Sequence, residues 1–147
     1  MLSALDMVRR VIPGMRERKF GRIVNISSTS AKEVAIGVPL ATGIKPGLIG
    51  ALGTLAREVA PEGITVNSIL AGPFDTELLR RFAPDAVGSP GLPPEEAVKL
   101  YAERGMMKRL GTTGEFGALC AFLCSRQAGY ITGQSVVIDG GNTPTLL

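Results

Sequence analysis

The sequence predicts an α/β fold in which helices flank a parallel β-sheet. Segments with helical periodicity alternate with short strand-like segments in the order helix, strand, helix, strand, helix, strand. This alternation favours a parallel sheet, because parallel strands need a crossover connection that a helix usually provides. The 19 glycines and 10 prolines supply the many short connections typical of such folds. The 147 residues are enough for one domain with a real core.

The first half of the chain is predicted to contain two helices and two strands. Apolar residues at helical spacing over residues 2–15 predict an amphipathic first helix, which Phe20-Gly21 ends. Strands are predicted over residues 22–27 and 64–70. A second helix is expected from about Pro46 to Ala60. Proline is favoured at the first helical position, and it disfavours the helical conformation in the residue before it.

The second half is predicted to carry more loop. Residues 83–94 are rich in helix breakers and are expected to form a loop, followed by a short helix over residues 95–104. A further helix over residues 114–125 and a strand over residues 135–138 complete the pattern.

Right-handed crossovers would place the C-terminal ends of all three strands at one edge of the sheet. Open α/β sheets bind their ligands at that edge, so the loops that begin there should hold the functional residues. Those loops are residues 27–45, 71–82 and 139–147.

Charge is uneven along the chain. The net charge is +3, and residues 1–22 carry six basic against two acidic side chains, so the remainder is close to neutral. A basic helix can contact nucleic acid, but no aromatic residues alternate with these charges, and a solvated helix face is favoured. We expect no nucleic-acid partner. No apolar run reaches the ~18 residues that cross a bilayer, and we expect a cytoplasmic protein without a membrane partner.

The two cysteines do not indicate a disulfide or a metal site. Cys120 and Cys124 lie four residues apart in a predicted helix, where a disulfide would constrain nothing. Two thiols in a chain without histidine make a poor zinc site, so no metal is expected. Buried free thiols are the favoured interpretation.

Several short motifs occur in order and cover nearly the whole chain. They are Gly21-Arg-Ile-Val-Asn-Ile-Ser-Ser28, Leu55-Ala-Arg-Glu58, Gly63-Ile-Thr-Val-Asn67, Arg109-Leu-Gly111, Tyr130-Ile-Thr-Gly-Gln134 and Val137-Ile-Asp-Gly-Gly141. Together they resemble the C-terminal half of classical short-chain dehydrogenases/reductases, in particular proteins similar to 3-oxoacyl-carrier-protein reductase. The resemblance implies three parallel strands with flanking helices, half of a doubly wound Rossmann-type sheet. It implies a single partial domain over residues 1–147, with a lid-like loop and helix over residues 83–104.

The resemblance also implies a cofactor and a site. Members of the family interconvert carbonyls and alcohols with NAD or NADP, and a tyrosine acts as the general acid. Ser28 matches the serine that holds the oxygen of the small-molecule substrate, and Lys45 matches the lysine that contacts the nicotinamide ribose. Gly72, Phe74 and Thr76 match positions around the nicotinamide, where the backbone at Phe74 is expected to hold the carboxamide.

The tyrosine position of the family falls on Ala41, which has no proton to donate. Tyr101, in the lid-like segment, is the first alternative acid. A helix that began at Pro46 would leave Lys45 just before its first residue. Two interpretations of Lys45 then remain, a contact with the ribose and a lysine that is merely solvated. Thr76 is expected to cap a helix, to face the cofactor, or both.

The glycine-rich turn and the first βαβ unit of the family have no counterpart in the sequence. The matched residues would therefore form one wall of a site, and we expect these residues alone to bind NAD(P)H weakly. In the family, the strand at 22–27 pairs with a strand of the missing half. We expect either that another chain covers this apolar edge or that the sequence is part of a longer molecule.

Three functions remain open at this point, and turnover by these residues alone is in doubt. The motifs favour an NAD(P)-dependent oxidoreductase. Ala41 favours a non-catalytic relative that keeps the fold for assembly. A Ser28–Lys45 hydrolase would need a close contact between the two side chains and an oxyanion hole.

The helices at 2–18 and 46–60 match those that pair between subunits in the family, which implies a homodimer or homotetramer. The second helix supports this independently, because an apolar stripe lies beside a stripe of small residues and one sheet covers only one of them. The apolar stripe is Leu48, Leu52, Leu55 and Val59, and the small stripe is Gly47, Gly50, Ala51 and Thr54.

Overall fold

The computed structural model describes residues 1–34 and 38–144. The helices are α1 (Leu2–Glu17), α2 (Pro39–Val59), α3 (Glu77–Ala86), α4 (Pro94–Arg104) and α5 (Thr113–Cys124). The strands are β1 (Gly21–Ser28), β2 (Ile64–Ala71) and β3 (Ser135–Ile138). Short 3₁₀ turns follow β1 over Thr29–Ala31 and α2 over Ala60–Glu62.

The three strands form one parallel sheet in the order β1-β2-β3. Ser28 lies opposite Ala71, and Ala71 lies opposite Ile138, so the three strands end level with one another. Every residue of β2 from Ile64 to Leu70 is buried, as expected of a central strand covered on both faces. The predicted fold class is confirmed, and the C-terminal strand ends meet at one edge as expected.

Helices cover both faces of the sheet. On one face, α1 and α2 pack with the sheet in a core that includes Ile12, Leu52 and Val66, with Ile23 against it. Arg22, which points to the other face because side chains alternate along a strand, donates from Nε to the carbonyl of Ser125 just after α5.

Helix α2 connects β1 to β2 on one face of the sheet, and α5 lies in the connection from β2 to β3 on the other face. Because both connections move to the next strand in the same direction, the two crossovers have opposite hands. The expectation that all crossovers are right-handed is therefore wrong for one of them. The connection from β2 to α5 passes through α3 and α4, and this length lets the chain reach the other face.

Helix α2 differs most from its prediction, because it begins at Pro39 and not near Pro46. The proline rule holds, but it applies to Pro39, which occupies the start of the helix. Pro46 lies inside the helix, where it cannot donate a backbone hydrogen bond. Tertiary contacts made by Lys45, one residue earlier, hold this part of the chain helical against the local preference.

The breaker-rich segment is also shorter than predicted. Residues 83–86 of the expected loop are the last residues of α3, and Pro84 lies within that helix. No end of β1, β2 or α5 lies more than one residue from its predicted position, and β3 has the predicted bounds.

The cysteines and the basic N-terminal region have ordinary environments. Both thiols are free, but only Cys120 is partly buried and Cys124 is exposed, so the expected burial is wrong for Cys124. Partial desolvation and the neighbouring Cys120 raise the pKa of the Cys124 thiol. Arg10 pairs with Asp6 at 2.9 Å, and Arg16 pairs with Glu62 at 2.6 Å.

Across residues 1–34 and 38–144, no helix is long and apolar enough to span a bilayer. Within the same ranges, no group of three His, Cys, Asp or Glu side chains is placed to hold a metal ion.

Gly63 allows the chain to turn from α2 into β2. Its φ of 76° lies in the left-handed region, and an added Cβ would overlap the carbonyl oxygen of Lys19. We expect Gly63→Ala to lower the free energy of unfolding by more than about 1 kcal/mol, the usual cost of that backbone conformation alone. Gly53→Ala is the matched control, since a Cβ there meets nothing within 4 Å in a helix. It should raise stability by about 0.4–1 kcal/mol. Urea unfolding curves with equal changes for both variants would contradict this explanation.

Candidate active site

Ser28, Ser30 and Lys45 form a hydrogen-bonded cluster at the end of β1. Lys45 Nζ donates to Ser28 Oγ at 2.6 Å and to Ser30 Oγ at 3.3 Å. The two serine oxygens are 2.7 Å apart. Because α2 begins at Pro39, Lys45 lies in its second turn, and the expectation that Lys45 sits at the mouth of this helix is wrong. The same helix start places Ala41 one turn before Lys45, on the same helix face.

The loop after β2 is fixed by a short parallel bridge between Phe74 and Gly111. Asp75 N donates to the carbonyl of Gly111 at 2.9 Å, and Gly111 N donates to the carbonyl of Pro73 at 3.1 Å. The N–H and C=O of Phe74 itself therefore point away from the bridge. A Cβ on Gly111 would lie 2.5 Å from the Phe74 ring, which explains the glycine in Arg109-Leu-Gly111.

The Phe74 side chain is held from a second direction by α5. Its ring meets that of Phe116 edge-on, with centroids 5.4 Å apart and an interplanar angle of 88°. Such edge-to-face pairs add about 0.5–1.5 kcal/mol beyond the area that they bury. Phe74 is thus held both by the bridge and by α5, while among the described residues its own N–H and C=O have no backbone partner.

A capping box fixes the start of α5 beside this bridge. Thr112 Oγ1 accepts from Glu115 N at 3.2 Å, and the Glu115 carboxylate accepts from Thr112 N at 2.8 Å. Both terminal nitrogens of Arg109 donate hydrogen bonds to the same carboxylate, at 2.6 and 2.9 Å. These bonds, first that from Arg109 and then those from Thr112, lower the pKa of Glu115 to about 2.

The turn after β3 closes the third side of the site. Gly72 N donates to the carbonyl of Ile138 at 2.9 Å, and a Cβ on Gly72 would lie 2.7 Å from Asp139 Cα. Gly72 is therefore required by this packing, whatever its part in binding. Burial by itself raises the pKa of Asp139, but hydrogen bonds from Thr143, Gly141 and Asn142 outweigh burial and lower it.

Two cavities meet at residues 71–73. The larger, of about 520 Å³, is almost entirely apolar, and its lining includes Phe74, Thr76 and Phe116, with Ile26 from β1. The smaller, of about 330 Å³, is lined by Ser28, Glu33 and Tyr101 among others. Gly72 lines both cavities.

Helices α3 and α4 form a hairpin over the site. They pack through Ala83, Val87 and Ala97, and Tyr101 packs against this small core. Thr76 caps α3, since its Oγ1 accepts from Leu79 N at 3.3 Å, as one of the two interpretations of Thr76 predicted. Arg80 links the hairpin to the loop by contacts of 2.6 Å to Asp75 and 2.7 Å to Glu95.

The structure brings the predicted site residues into two adjacent groups. Ser28 and Lys45 touch each other, while Gly72, Phe74 and Thr76 share the apolar cavity. Sequence reasoning missed Ser30, which is only 8% exposed. The run Ser27-Ser28-Thr29-Ser30 was the only signal, and it could not show which hydroxyl the 3₁₀ turn would direct at Lys45.

Sequence comparisons identify the family. The family profile described as Enoyl-(Acyl carrier protein) reductase matches residues 1–143. The chain is 38% identical over 141 residues to the Acetoacetyl-CoA reductase of Shinella zoogloeoides. It is 32% identical over 145 residues to the NADPH-dependent reductase BacG of Bacillus subtilis (strain 168). The chain belongs to the short-chain dehydrogenase/reductase family.

The two alignments cover 96% and 99% of this chain but only 54% and 56% of the relatives, so the chain spans about half of their length. Solved structures of short-chain dehydrogenases/reductases agree. YwfH, an NADPH-dependent reductase involved in bacilysin biosynthesis, matches with a TM-score of 0.90 and 31% identity. The L-sorbose reductase of Gluconobacter frateurii, complexed with NADPH and L-sorbose, gives 0.89 and 29%. Each match covers 99% of this chain and 56% of the other. The predicted family and the partial Rossmann-type fold are confirmed.

The capping box yields a pH-dependent prediction. Because the pKa of Glu115 falls from 4.5 to about 2 on folding, its contribution to stability is present above pH 4.5 and is lost as the pH falls towards 2. We expect Glu115→Gln to destabilise the protein at neutral pH, and the difference from the parent to shrink across that range. Denaturant unfolding at several pH values measures this. Glu77→Gln is the control, because its exposed 3.4 Å pair with Arg81 should contribute little. A difference independent of pH would show that the charge of Glu115 is not responsible.

Proposed function

We propose that this chain forms the substrate and nicotinamide side of an NAD(P)H-dependent carbonyl reductase. The observation that carries the proposal is the 2.6 Å contact between Lys45 Nζ and Ser28 Oγ beside the cavity at the strand ends. A hydroxyl and an ammonium group held there can bind and polarise a carbonyl oxygen. Family membership supplies the reaction class, and the relatives named as NADPH-dependent reductases favour NADPH.

The residues present suit the nicotinamide end of the cofactor. The apolar cavity at Phe74 offers a surface for a flat ring, and the free N–H and C=O of Phe74 suit a carboxamide group. Gly72 and Thr76 line the same cavity, and Lys45 is the residue that we assign to the ribose. When bound, the reduced nicotinamide supplies a hydride. The remaining wall of the cofactor site would come from residues outside the span matched here.

In this proposal Ser28 holds the substrate oxygen, and the hairpin of α3 and α4 closes over the substrate as a lid. The lid-like role was expected for residues 83–104, and the packing of the hairpin extends it back to Glu77. Tyr101 lines the cavity that contains Ser28, so a small carbonyl or alcohol there would contact the lid. The two free cysteines fit the cytoplasmic location that we propose with this function.

A non-catalytic assembly role is the second candidate. Ala41 stands where the family acid is expected, and Ile26 on the edge strand β1 is 64% exposed. An exposed apolar residue beside an unpaired parallel edge favours association with other polypeptide. The hydrolase hypothesis meets one of its two requirements, the close Ser28–Lys45 contact.

The two candidate functions, carbonyl reduction and assembly, can be distinguished by restoring a tyrosine at position 41. The chain is assayed within a full-length protein that supplies the rest of the cofactor site, because we expect these residues alone to bind NAD(P)H weakly. That protein is incubated with NADPH or NADH and a panel of carbonyls that includes acetoacetyl-CoA and L-sorbose, and nicotinamide absorbance is followed. We expect slow turnover in the parent and a gain of about 10²–10⁴-fold in Ala41→Tyr, which adds a phenol one turn before Lys45. Ala41→Phe is the matched control without the hydroxyl. No oxidation in the parent and no gain in Ala41→Tyr would favour the assembly role.

We also propose that the protein is a homodimer or homotetramer through α1 and α2. The apolar stripe of α2 packs into the core, whereas Gly47, Gly50 and Thr54 of the small stripe are exposed. Met7 on the neighbouring α1 is 64% exposed. This leaves a surface on which two helices can approach closely.

Ala51→Glu tests this surface, because it places a charge where the helices would meet. We expect analytical ultracentrifugation to show an oligomer for the parent and a smaller species for Ala51→Glu. Lys99→Glu, an exposed change on α4, is the control for added negative charge and should leave the oligomer intact. A monomeric parent, or an oligomer unaffected by Ala51→Glu, would contradict the assignment.

A further inference from the structure

The proposed reduction needs a proton for the substrate oxygen, and Ala41 cannot supply it. This inference rests on that proposed function and asks which group of the site replaces the missing acid. Four residues with a hydroxyl line the cavity beside the strand ends: Ser28, Thr29, Tyr101 and Thr143. Among them, within the described residues, Ser28 is the one that accepts a hydrogen bond from Lys45, and Tyr101 is the one phenol. Their surroundings differ, and the difference decides between them.

Ser28 is connected to a proton source. Its Oγ lies 2.6 Å from Lys45 Nζ, and an ammonium group carries three protons and no acceptor. Within residues 1–34 and 38–144, no hydrogen bond joins Tyr101 to Lys45; the tyrosine packs against the small core of the α3–α4 hairpin. A proton that leaves Ser28 can therefore be replaced directly from Lys45, whereas no hydrogen bond among the described residues gives Tyr101 the same link.

Ser30 determines which way the Ser28 hydrogen points. Ser30 is 8% exposed, and its Oγ accepts a hydrogen bond from Lys45 Nζ at 3.3 Å. Among the hydrogen bonds of the described residues, Ser28 Oγ is the acceptor available to the Ser30 hydroxyl, at 2.7 Å. At this distance either oxygen could donate; because a buried donor left without an acceptor is costly, we assign the donor role to Ser30. Both lone pairs of Ser28 are then occupied, by Lys45 and Ser30, and its own O–H is left for the cavity.

We propose that Ser28 donates the proton to the substrate oxygen, that Lys45 replaces it, and that Ser30 is the positioning residue for both. The nicotinamide named in the proposed function, when bound, would supply the hydride for the carbonyl carbon and would be the group oxidised. The O–H bond of Ser28 breaks as an O–H bond forms on the substrate oxygen. A proton moves from Lys45 Nζ to Ser28 Oγ, and the neutral amine then takes a proton from water. The three side chains thus supply the substrate proton by a different route, which accounts for slow turnover in the parent and leaves room for the gain expected in Ala41→Tyr.

The kinetic test uses the reduction assay of the proposed function. We expect Ser28→Ala and Lys45→Met to lower kcat by about 10²-fold or more, as for loss of a positioned acid. Ser30→Ala should lower kcat by about threefold to tenfold with little change in KM, the usual worth of one hydrogen bond. Ser30→Thr, which keeps a hydroxyl, should recover most of the loss. Lys19→Met, an exposed lysine at the opposite end of β1, is the matched control and should leave kcat unchanged.

A second readout does not depend on turnover. The chain has only five lysines, so ¹⁵N-detected ammonium signals can be assigned with Lys45→Arg. An ammonium group that donates to two serines exchanges its protons slowly with water and should give a visible signal. That signal should weaken or shift in Ser30→Ala and persist in Lys19→Met. An unchanged Lys45 signal in Ser30→Ala would overturn the positioning role of Ser30.

The outcomes separate the two proposals. If the parent oxidises neither NADPH nor NADH with any carbonyl, the proposed reduction fails. If the parent reduces a carbonyl but Ser28→Ala or Lys45→Met keeps full kcat, the proton route through Ser28 fails. A loss of 10²-fold or more in Tyr101→Phe, with Ser30→Ala unaffected, would assign the proton to the lid tyrosine instead and overturn the inference.

Discussion

The level pairing of the three parallel strands is the constraint on which the rest of the structure depends. Ser28, Ala71 and Ile138 lie side by side, so the segments after them start at one edge of the sheet. Burial of β2 on both faces holds this register, because a shift by one residue would move every side chain to the opposite face, against the wrong packing partners. Through this alignment, side chains more than forty residues apart in the chain share one pair of cavities.

Helix α2 and the start of α5 turn that edge into a defined site. The early start of α2 places Lys45 within its second turn, where the ammonium group reaches both Ser28 and Ser30. On the other side, the capping box at Thr112 holds Gly111 against the loop that carries Phe74. Neither Ser28 nor Phe74 is fixed by its own strand alone; each is held by a helix that packs on a different face of the sheet.

The exposed surfaces agree with a chain that spans about half of the length of its relatives. The edge of β1, with Ile26 exposed, opens onto the same apolar cavity that suits a nicotinamide ring. An apolar edge, an apolar cavity and a loop with free backbone groups are therefore contiguous. This continuity links the proposed cofactor position to the part of the fold that other polypeptide would cover.

The sequence alone predicted the family and the three strands nearly to the residue, since local patterns and motif spacing encode them. It also proposed Ser28, Lys45, Gly72, Phe74 and Thr76 as site residues, and the structure places these five around two adjoining cavities, where their roles stay a proposal. It did not determine where α2 begins, because Pro39 and Pro46 satisfy the same local rule and only contacts with Ser28 and Ser30 choose between them. It did not reveal Ser30, or the hand of the crossover through α3 and α4. Those depend on groups distant in the chain, and only tertiary packing brings such groups together.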